Sequence, residues 1–269
     1  MTQVTIVIVS YNTREDLARC LDSLHDSPPA ATHEIVVVDN GSSDGSAEAV
    51  RRFPSVRLIE SGGNVGFARA NNIGIRATGS VNLLVLNSDT IVPAGAIDRL
   101  LAELEANPDV AVVGPRIVDG QGRAELSFGR MIGPLNEFRQ KRLARGPVDE
   151  LTRRRGYPDW VSAACMLVRR ADAEAVGLFD ERYFMYTEDV DFCAAIRARG
   201  RKVLFAPEID VVHLRGRSAA MAPGETRAAY RRSQIAFYEK HHPLWAPLLR
   251  AYLWLRSGGK AGGAGAAGG

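Results

Sequence analysis

Two short apolar runs in the first third of the chain each lead directly into acidic side chains. Residues 83–86 are followed by the polar triplet 87–89, which ends on Asp89, and residues 35–38 run into Asp39. Continuous apolar runs of this length are typical of strands buried on both faces of a parallel sheet. In open α/β sheets, ligands bind beyond the carboxyl ends of the strands. Two acids at such ends predict a polar ligand that carries phosphate and binds metal.

The first 114 residues alternate between strand-like and helix-like segments. Apolar runs predict strands at residues 4–9, 34–39, 56–60, 81–87 and 110–113. Apolar residues at helical spacing predict helices around residues 17–24, 67–77 and 93–106, with a short helix after residue 39. Repeated β-α-β units imply an α/β fold in which helices cover both faces of a mostly parallel sheet.

After residue 114 the pattern becomes mixed. We expect a hairpin over residues 117–126, a basic and irregular stretch up to 157, and a strand over 160–169. A helix is expected over residues 188–199, and short apolar runs follow at 203–206 and 209–213.

Composition narrows the class of protein. The chain has 269 residues, of which 46% are hydrophobic, enough for one sizeable core. A formal net charge of +3 is modest for this length and gives no indication of a nucleic-acid partner. Cys20, Cys165 and Cys193 sit in apolar stretches without metal-ligand spacing, as core cysteines of a reducing compartment do. The chain enters a strand without a signal-peptide pattern, so we expect a cytoplasmic protein.

Two familiar phosphate-binding motifs are missing from the sequence. The first strand leads into Ser10-Tyr11-Asn12 rather than into a glycine-rich dinucleotide fingerprint, and no Walker A sequence occurs. The glycine-rich turn at residues 62–66 opens a helix, where the main chain can approach a ligand closely. A helix-entry turn without a ligand explains that turn equally well.

A further acidic cluster falls in the expected first turn of a helix. Glu188, Asp189 and a third acid lie where the helix dipole favours ionised carboxylates, so capping alone is one explanation. The aromatic-rich run 183–186 before them offers an apolar wall that can raise the pKa of a carboxyl group toward a catalytic range. Downstream, His213 ends another apolar run, and basic residues that include Arg217 follow it, which suits a diphosphate.

Taken together, these motifs resemble the family 2 glycosyltransferases of the GT-A fold, and within them the bacterial rhamnosyltransferase-like branch. The resemblance covers roughly residues 3–242 and depends on six motifs in order: Ser10-Tyr11-Asn12, Val38 to Ser46, Asn64-Val65-Gly66-Phe67, Asn87-Ser88-Asp89, Glu188-Asp189-Val190-Asp191, and His213. It implies one GT-A catalytic domain over residues 1–242, with a nucleotide-sugar-binding half at 1–114 and an acceptor half at 115–242.

The resemblance also implies the chemistry. Such enzymes move a sugar from a nucleotide-diphosphate donor to an acceptor hydroxyl, usually with inversion at the anomeric carbon. Asp189 matches the family's catalytic base. Asp89 and His213 match ligands of a divalent cation, Mn²⁺ or Mg²⁺, that neutralises the leaving diphosphate. Asp39 matches the acid that hydrogen-bonds the pyrimidine ring, and Tyr11 is expected to stack beside it.

The remaining site residues follow from the same match. Residues expected to bind the nucleotide are Ser10, Tyr11, Asn12, Asp39, Asn64, Gly66, Asn72, Asn87 and Ser88. We assign Trp160, Glu188 and Arg217 to the acceptor or sugar pocket, with core packing equally compatible for Trp160. The sequence departs from relatives at Asn87, where an acid is usual, and at Ala163, where a glycine is often found.

The C-terminal segment 243–257 reads as an amphipathic helix. Its apolar stripe consists of Leu244, Trp245, Leu248, Leu249, Tyr252 and Leu253. It is too short to span a bilayer, but it can lie on a membrane surface or pack onto the catalytic domain. Residues 258–269 are rich in Gly and Ala, and we expect a flexible tail there.

The favoured function is an inverting, metal-dependent transferase that uses dTDP-L-rhamnose and acts on a cell-surface glycan or a polyprenyl-linked acceptor. It would be cytoplasmic or peripheral on the inner face of the membrane. The alternatives are a UDP-hexose or UDP-N-acetylhexosamine transferase of the same family and a non-catalytic nucleotide-sugar-binding module. A nucleotidyltransferase should carry a Gly- and Arg-rich loop after the first strand, and residues 10–14 do not form one.

Overall fold

The computed structural model describes residues 2–214 and 223–256. Its strands, in chain order, are β1 (Val4–Ser10), β2 (His33–Asp39), β3 (Val56–Glu60), β4 (Asn82–Asn87), β5 (Thr90–Ile91), β6 (Val110–Val118), β7 (Ala124–Glu125), β8 (Phe128–Gly129), β9 (Trp160–Val161), β10 (Cys165–Arg169) and β11 (Lys202–His213). Its helices are α1 (Arg14–Asp26), α2 (Ser46–Val50), α3 (Phe67–Arg76), α4 (Ala96–Ala106), α5 (Pro134–Leu143), α6 (Val148–Leu151), α7 (Arg170–Ala175), α8 (Glu188–Ala198), α9 (Pro223–His241) and α10 (Ala246–Arg256).

A nine-stranded sheet forms the centre of the molecule. Its order is β3-β2-β1-β4-β10-β6-β11-β5, with β7 beside β6. Strands β1 to β4 are parallel to one another, and β6 is parallel to β11. β10 lies antiparallel between β4 and β6, and β8 pairs with β9 in a separate ribbon. The expected α/β fold on a mostly parallel sheet is confirmed.

Helices cover both faces of this sheet because each presents an apolar stripe to it. On one face, Leu17 and Leu21 of α1 pack in the same core as Leu100 of α4. On the other face, Ile75 of α3 and Phe192 of α8 belong to a second core. The three cysteines are buried and unpaired, as the sequence predicted.

The second half of the chain differs from the sequence pattern in three places. The single strand expected over residues 160–169 is divided into β9 and β10, which belong to different sheets. The two apolar runs 203–206 and 209–213 are one strand, β11, whose register shifts between Ala206 and Asp210. Pro207 lies in this interval and cannot donate to a ladder, which explains the irregularity. The basic stretch expected to be irregular contains α5 and α6.

The sheet brings several predicted site residues to one edge. Ser10 at the end of β1 is in register with Asp39 at the end of β2, and Val9 is in register with Asn87 at the end of β4. β11 runs in the same direction and ends on His213. The polar side chains that end separate apolar runs in the sequence therefore lie at the carboxyl ends of strands in one sheet, where α/β proteins bind ligands.

Candidate active site

A cavity of about 690 Å³ opens at this edge of the sheet. The predicted site residues in its wall are Tyr11, Asn64, Asn87, Ser88, Asp89, Trp160, Glu188, Asp189 and His213. Other predicted residues lie outside the wall, namely Ser10, Asn12, Asp39, Gly66 and Asn72. Arg217 lies outside the described residues. The cavity thus combines residues from both halves of the chain.

Asp89 and His213 meet because of strand pairing. β5 runs antiparallel to the end of β11, with Thr90 opposite His213, so Asp89 lies beside the imidazole. His213 Nε2 is 3.0 Å from Asp89 Oδ1, and the main-chain N–H of Leu214 donates to the carbonyl of Asp89 at 2.7 Å. Both side chains are largely buried. The contact is therefore fixed by the backbone as well as by the side chains.

Glu125 is a third member of this group, and the sequence analysis missed it. Its Oε2 lies 3.4 Å from His213 Nδ1, so the two ring nitrogens face carboxylates on opposite sides. Burial alone would lower the pKa of His213, but the hydrogen bonds and charges of Asp89 and Glu125 outweigh it and raise the pKa to about 9. Glu125 reaches the site because β7 pairs with β6, a contact that no local sequence pattern encodes.

These residues suit a divalent cation only in combination with a ligand. Across residues 2–214 and 223–256, no three acidic, histidine or cysteine side chains are grouped so as to hold a metal by themselves. Asp89 and His213 nevertheless offer one oxygen and one nitrogen to the same cavity, a donor pair compatible with Mn²⁺ or Mg²⁺. Diphosphate oxygens and water are the ligands that such two-residue sites use to complete the coordination sphere.

Asp189 enters the cavity from the first turn of α8. Its Oδ2 accepts a hydrogen bond from the main-chain N–H of Ala163 at 3.2 Å, and its Oδ1 accepts one from Val190 at 2.8 Å. Burial raises the pKa of Asp189, although these main-chain donors act in the opposite direction. The turn that separates β9 from β10 therefore has a function in the site, because it supplies the Ala163 N–H that orients the carboxylate.

Glu188, beside it, is buried without a compensating partner. Its Oε2 has no hydrogen bond, and burial together with the charge of Asp189 raises the pKa of Glu188 well above its ordinary value. The third acid of the cluster, Asp191, turns away from the cavity and pairs with Lys240 and His241 of α9 at 2.8 and 2.6 Å. The acidic cluster thus divides into two residues of the cavity and one structural anchor.

The turn before α8 is strained. Tyr186 and Thr187 both adopt left-handed backbone conformations, with φ of 70° and 67°. For residues other than glycine each such conformation costs about 1–3 kcal/mol and persists mainly where function requires it. Here the turn places Tyr186 and Thr187 in the cavity wall immediately before Glu188 and Asp189.

At the other end of the cavity, hydroxyl groups form a short chain behind the wall. Ser10 Oγ lies 3.0 Å from Thr13 Oγ1, which lies 2.9 Å from Ser88 Oγ. Thr13 and Ser88 line the cavity, so Ser10 acts from behind them. Asn12 instead holds the loop after β2, since its Oδ1 accepts the main-chain N–H of Ser43 at 2.8 Å.

Asp39 has an unused acceptor atom. Its Oδ2 accepts the main-chain N–H of Ser42 at 3.1 Å, whereas its buried Oδ1 has no hydrogen-bond partner. A buried carboxylate oxygen without a partner is costly, so a ligand N–H at this position would be favourable.

Asn64, Gly66 and Asn72 act mainly on protein atoms. Asn64 Oδ1 accepts from the main-chain N–H of Gly66 at 3.1 Å and from the side chain of Asn40 at 3.0 Å, while both asparagines line the cavity. A Cβ on Gly66 would lie 2.6 Å from the carbonyl oxygen of Phe184, so its close approach is to the protein's own main chain. Both polar ends of Asn72 bond to residues 179–181. Their roles toward a nucleotide remain predictions.

The rest of the wall combines apolar side chains with the polar residues Arg130, Asn136, Glu137 and Gln140. Its apolar members there are Leu126, Ile132, Trp160, Met185, Tyr186, Val190 and Tyr230. Trp160 both lines the cavity and packs in a core cluster, and its Nε1 donates to the carbonyl of Arg130 at 2.9 Å. Ser127 Oγ and Thr187 Oγ1 are buried without hydrogen-bond partners in the same wall. A ligand with hydroxyl groups and an apolar part would satisfy this surface.

Comparison with known proteins shows the family of the chain. Residues 5–177 match the family model described as Glycosyl transferase family 2. An N-acetylglucosaminyl-diphospho-decaprenol L-rhamnosyltransferase of Mycobacterium tuberculosis is 33% identical, over 96% of this chain and 92% of the relative. Rhamnosyltransferase WbbL of Escherichia coli strain K12 is 24% identical, over 78% of this chain and 83% of the relative.

Solved structures show the same architecture. The mannosyltransferase PcManGT of Pyrobaculum calidifontis, in complex with GDP-Man and Mn²⁺, has a TM-score of 0.63 at 21% identity, and the match covers 94% of this chain and 69% of that one. GalNAc-T7 with UDP, GalNAc and Mn²⁺ has a TM-score of 0.61 at 19% identity, covering 79% and 44%. At these identities the likeness concerns the fold.

Proposed function

The chain belongs to glycosyl transferase family 2, is rhamnosyltransferase-like and has the GT-A fold, and from this premise we propose that it transfers L-rhamnose from dTDP-L-rhamnose to a lipid-linked N-acetylglucosamine acceptor. The acceptor is suggested by the activity of the mycobacterial relative, which matches nearly the whole chain. Because a polyprenyl chain stays in the bilayer, the enzyme would work at the inner membrane surface.

One observation carries the proposal. Asp89 and His213 from the sheet and Asp189 from α8 line the same cavity, although they come from distant parts of the sequence. The donor diphosphate must be bound while the acceptor hydroxyl loses its proton, so residues for both tasks must lie in one cavity. A cavity that contains candidates for both tasks fits a single-displacement glycosyl transfer.

In the proposed reaction Asp189 accepts the proton of the acceptor hydroxyl as the hydroxyl oxygen attacks the anomeric carbon. The bond from that carbon to the diphosphate oxygen breaks, and its electron pair leaves with dTDP. Attack from the opposite face inverts the anomeric configuration. A raised pKa makes the Asp189 carboxylate a stronger base than an exposed aspartate, and the Ala163 N–H fixes its orientation.

Negative charge accumulates on the departing diphosphate, and a divalent cation held by Asp89 and His213 would supply the Lewis-acid neutralisation of that charge. The two side chains meet 3.0 Å apart, and Glu125 lies on the other side of the imidazole, 3.4 Å from Nδ1. Asn87, which replaces the usual acid, contributes an amide beside His213 Nε2 at 3.3 Å. One negative charge fewer favours the approach of an anionic donor.

The proposed nucleobase preference rests on Asp39, which does not line the cavity itself but ends β2 next to Asn40 in the wall. An ionised carboxylate is an acceptor only, so its Oδ1 pairs with a base that presents an N–H donor. Thymine and uracil carry such a donor at N3, whereas cytosine carries an acceptor there. This supports a thymidine or uridine nucleotide over a cytidine one, so a UDP-hexose or UDP-N-acetylhexosamine stays the second candidate beside dTDP-L-rhamnose.

A donor panel tests the proposal. Purified protein is incubated with dTDP-L-rhamnose, UDP-glucose or UDP-N-acetylglucosamine and a synthetic N-acetylglucosaminyl-diphospho-lipid, with Mn²⁺ or with EDTA, and the product's anomeric configuration is determined by NMR. The proposal requires Mn²⁺-dependent rhamnosyl transfer with inversion. Faster transfer from a UDP sugar would establish the alternative donor. Binding of nucleotide without turnover of any donor would indicate a non-catalytic module.

A further inference from the structure

Helix α10 is apolar around most of its circumference. Residues 244–256 contain no acidic side chain, and their charged residues are Arg250 and Arg256 alone. A soluble helix that packs by one face normally presents polar residues on the other. The second apolar face of α10 therefore indicates a second contact.

The inner face of α10 is accounted for by the protein itself. Ala246 is buried, and Leu249 packs against the cluster that contains Phe237 and Tyr238 of α9. Leu253 is half-buried. The expected packing of this segment on the catalytic domain thus holds for these three residues.

The outer face is exposed. Leu244, Leu248 and Leu255 are 88%, 61% and 69% exposed, and Tyr252 is 52% exposed. At about 100° per residue Leu248, Tyr252 and Leu255 fall within one quarter of the helix circumference, opposite the inner face, and Leu244 precedes them in the turn before α10. They form an outer stripe, which we define as Leu244, Leu248, Tyr252 and Leu255.

The residues that border the outer stripe are those of a lipid–water interface. Trp245 is half-exposed beside it, and Arg256 stacks its guanidinium on the Tyr252 ring at 5.7 Å from the centroid. Arg250 lies away from the outer stripe and pairs with Glu239 of α9. Trp and Tyr favour the headgroup level, and arginine favours anionic headgroups. No helix in the described residues is long and apolar enough to cross a bilayer.

The size of the stripe argues against a second copy of the chain as its partner. α10 has 11 residues and is about 16 Å long. One face of such a helix buries far less than the roughly 800 Å² per partner of a standard stable interface. A bilayer sets no such minimum, because each apolar side chain that enters it contributes separately.

We propose that the outer stripe of α10 docks the protein on the surface of a bilayer that contains anionic lipid. This docking proposal rests on the proposed function, because it assumes that the acceptor is linked to a lipid. The cluster that receives Leu249 also contains Ile132 and Trp160, which line the cavity. One apolar cluster thus joins the wall of the cavity to the inner face of the docking helix.

Vesicle flotation tests the proposal with the full chain. The double variant Leu248→Glu/Leu255→Glu adds charges to the stripe without touching the inner face. Val81→Glu is the matched control, because Val81 is 52% exposed on the main body, before β4. Wild type and Val81→Glu should float with phosphatidylcholine/phosphatidylglycerol vesicles. The double variant should bind these vesicles at least about tenfold more weakly.

Three outcomes would overturn the docking surface: no flotation of the wild type, equal flotation of the double variant, or a micromolar wild-type dimer that the double variant converts to monomer in sedimentation. Leu248→Ala/Leu255→Ala provides a milder version should the charged variant unfold, with a smaller loss expected. Rhamnosyl transfer to a short-chain soluble acceptor, measured on the same variants, separates the two proposals. Its absence in a wild type that floats would reject the proposed function and leave the docking surface standing.

Discussion

His213 Nε2 lies 3.0 Å from Asp89 Oδ1 because Thr90 and His213 are paired across β5 and β11. Main-chain pairing, and not side-chain attraction alone, therefore holds the two side chains next to each other. That rigidity suits ligands of a cation, since a site that needs no rearrangement loses less free energy on binding.

We predict that Asp89→Asn and His213→Ala each weaken Mn²⁺-dependent binding of dTDP by at least about tenfold, because each removes a ligand from the proposed site. Glu48→Gln, an exposed acid on α2, is the control and should bind as wild type. Titration calorimetry in Mn²⁺ and in EDTA measures the difference. If Mn²⁺ strengthens dTDP binding equally in both variants and in the control, Asp89 and His213 are not metal ligands.

Glu125→Gln should lower Mn²⁺ affinity about 10- to 100-fold, although Glu125 is not proposed as a ligand. Its carboxylate lies 3.4 Å from His213 Nδ1 and would fix the ring orientation and tautomer. Electron paramagnetic resonance of free Mn²⁺ gives the affinity without any turnover. An unchanged affinity would show that Glu125 does not position His213.

Asp39→Asn should change the nucleobase preference. Ser42 N–H needs an acceptor and would take the new amide oxygen, which leaves the NH₂ group where Oδ1 now stands. We expect dTDP affinity to fall about tenfold while dCDP affinity holds or improves. Calorimetric titration of both nucleotides gives the ratio. Parallel losses for dTDP and dCDP would argue against contact between Asp39 and the base.

The strands and helices of the first half could be predicted because each is encoded locally, by an apolar run or by helical spacing. The candidates Asp89, Asp189 and His213 come from sequence motifs. The pairing of β5 with β11 explains why Asp89 and His213 lie in one cavity. Glu125 could not be found, because its place depends on the pairing of β7 with β6. Asn72 was assigned to the nucleotide from its motif position, yet its side chain bonds to residues 179–181.

The division of the 160–169 segment also escaped the sequence pattern. Trp160 to Arg169 is continuously compatible with one strand, and only the tertiary structure shows that residues 162–164 form a turn in which the N–H of Ala163 donates to Asp189. Similarly, the pattern could not tell which face of α10 packs. Both faces are apolar, so periodicity alone leaves them equivalent.

Glu188→Gln should stabilise the protein at neutral and alkaline pH. The pKa of Glu188 is raised in the folded state by burial and by Asp189, so the folded protein holds a proton that the unfolded chain releases near its ordinary pKa of about 4.3. Stability is therefore lost as pH rises from the unfolded toward the folded pKa. Glutamine removes this loss.

Melting temperatures at pH 5 and pH 8 measure the effect. We expect the melting temperature of Glu188→Gln, relative to that of wild type, to be higher at pH 8 than at pH 5. Glu48→Gln again serves as the control for an exposed glutamate. A variant that melts lower than wild type at pH 8 would contradict the assignment of a neutral buried carboxyl group.

The proposed glycosyl transfer depends on Asp189 as the base in a cavity that also binds the donor. The most direct measurement compares kcat for rhamnosyl transfer by wild type and Asp189→Asn, together with the Kd of each for dTDP in Mn²⁺. We predict a fall in kcat of about 10²- to 10⁴-fold with a Kd that changes little, because the amide keeps the size of the side chain and can accept one of its two main-chain hydrogen bonds. Undiminished turnover by Asp189→Asn would contradict the account.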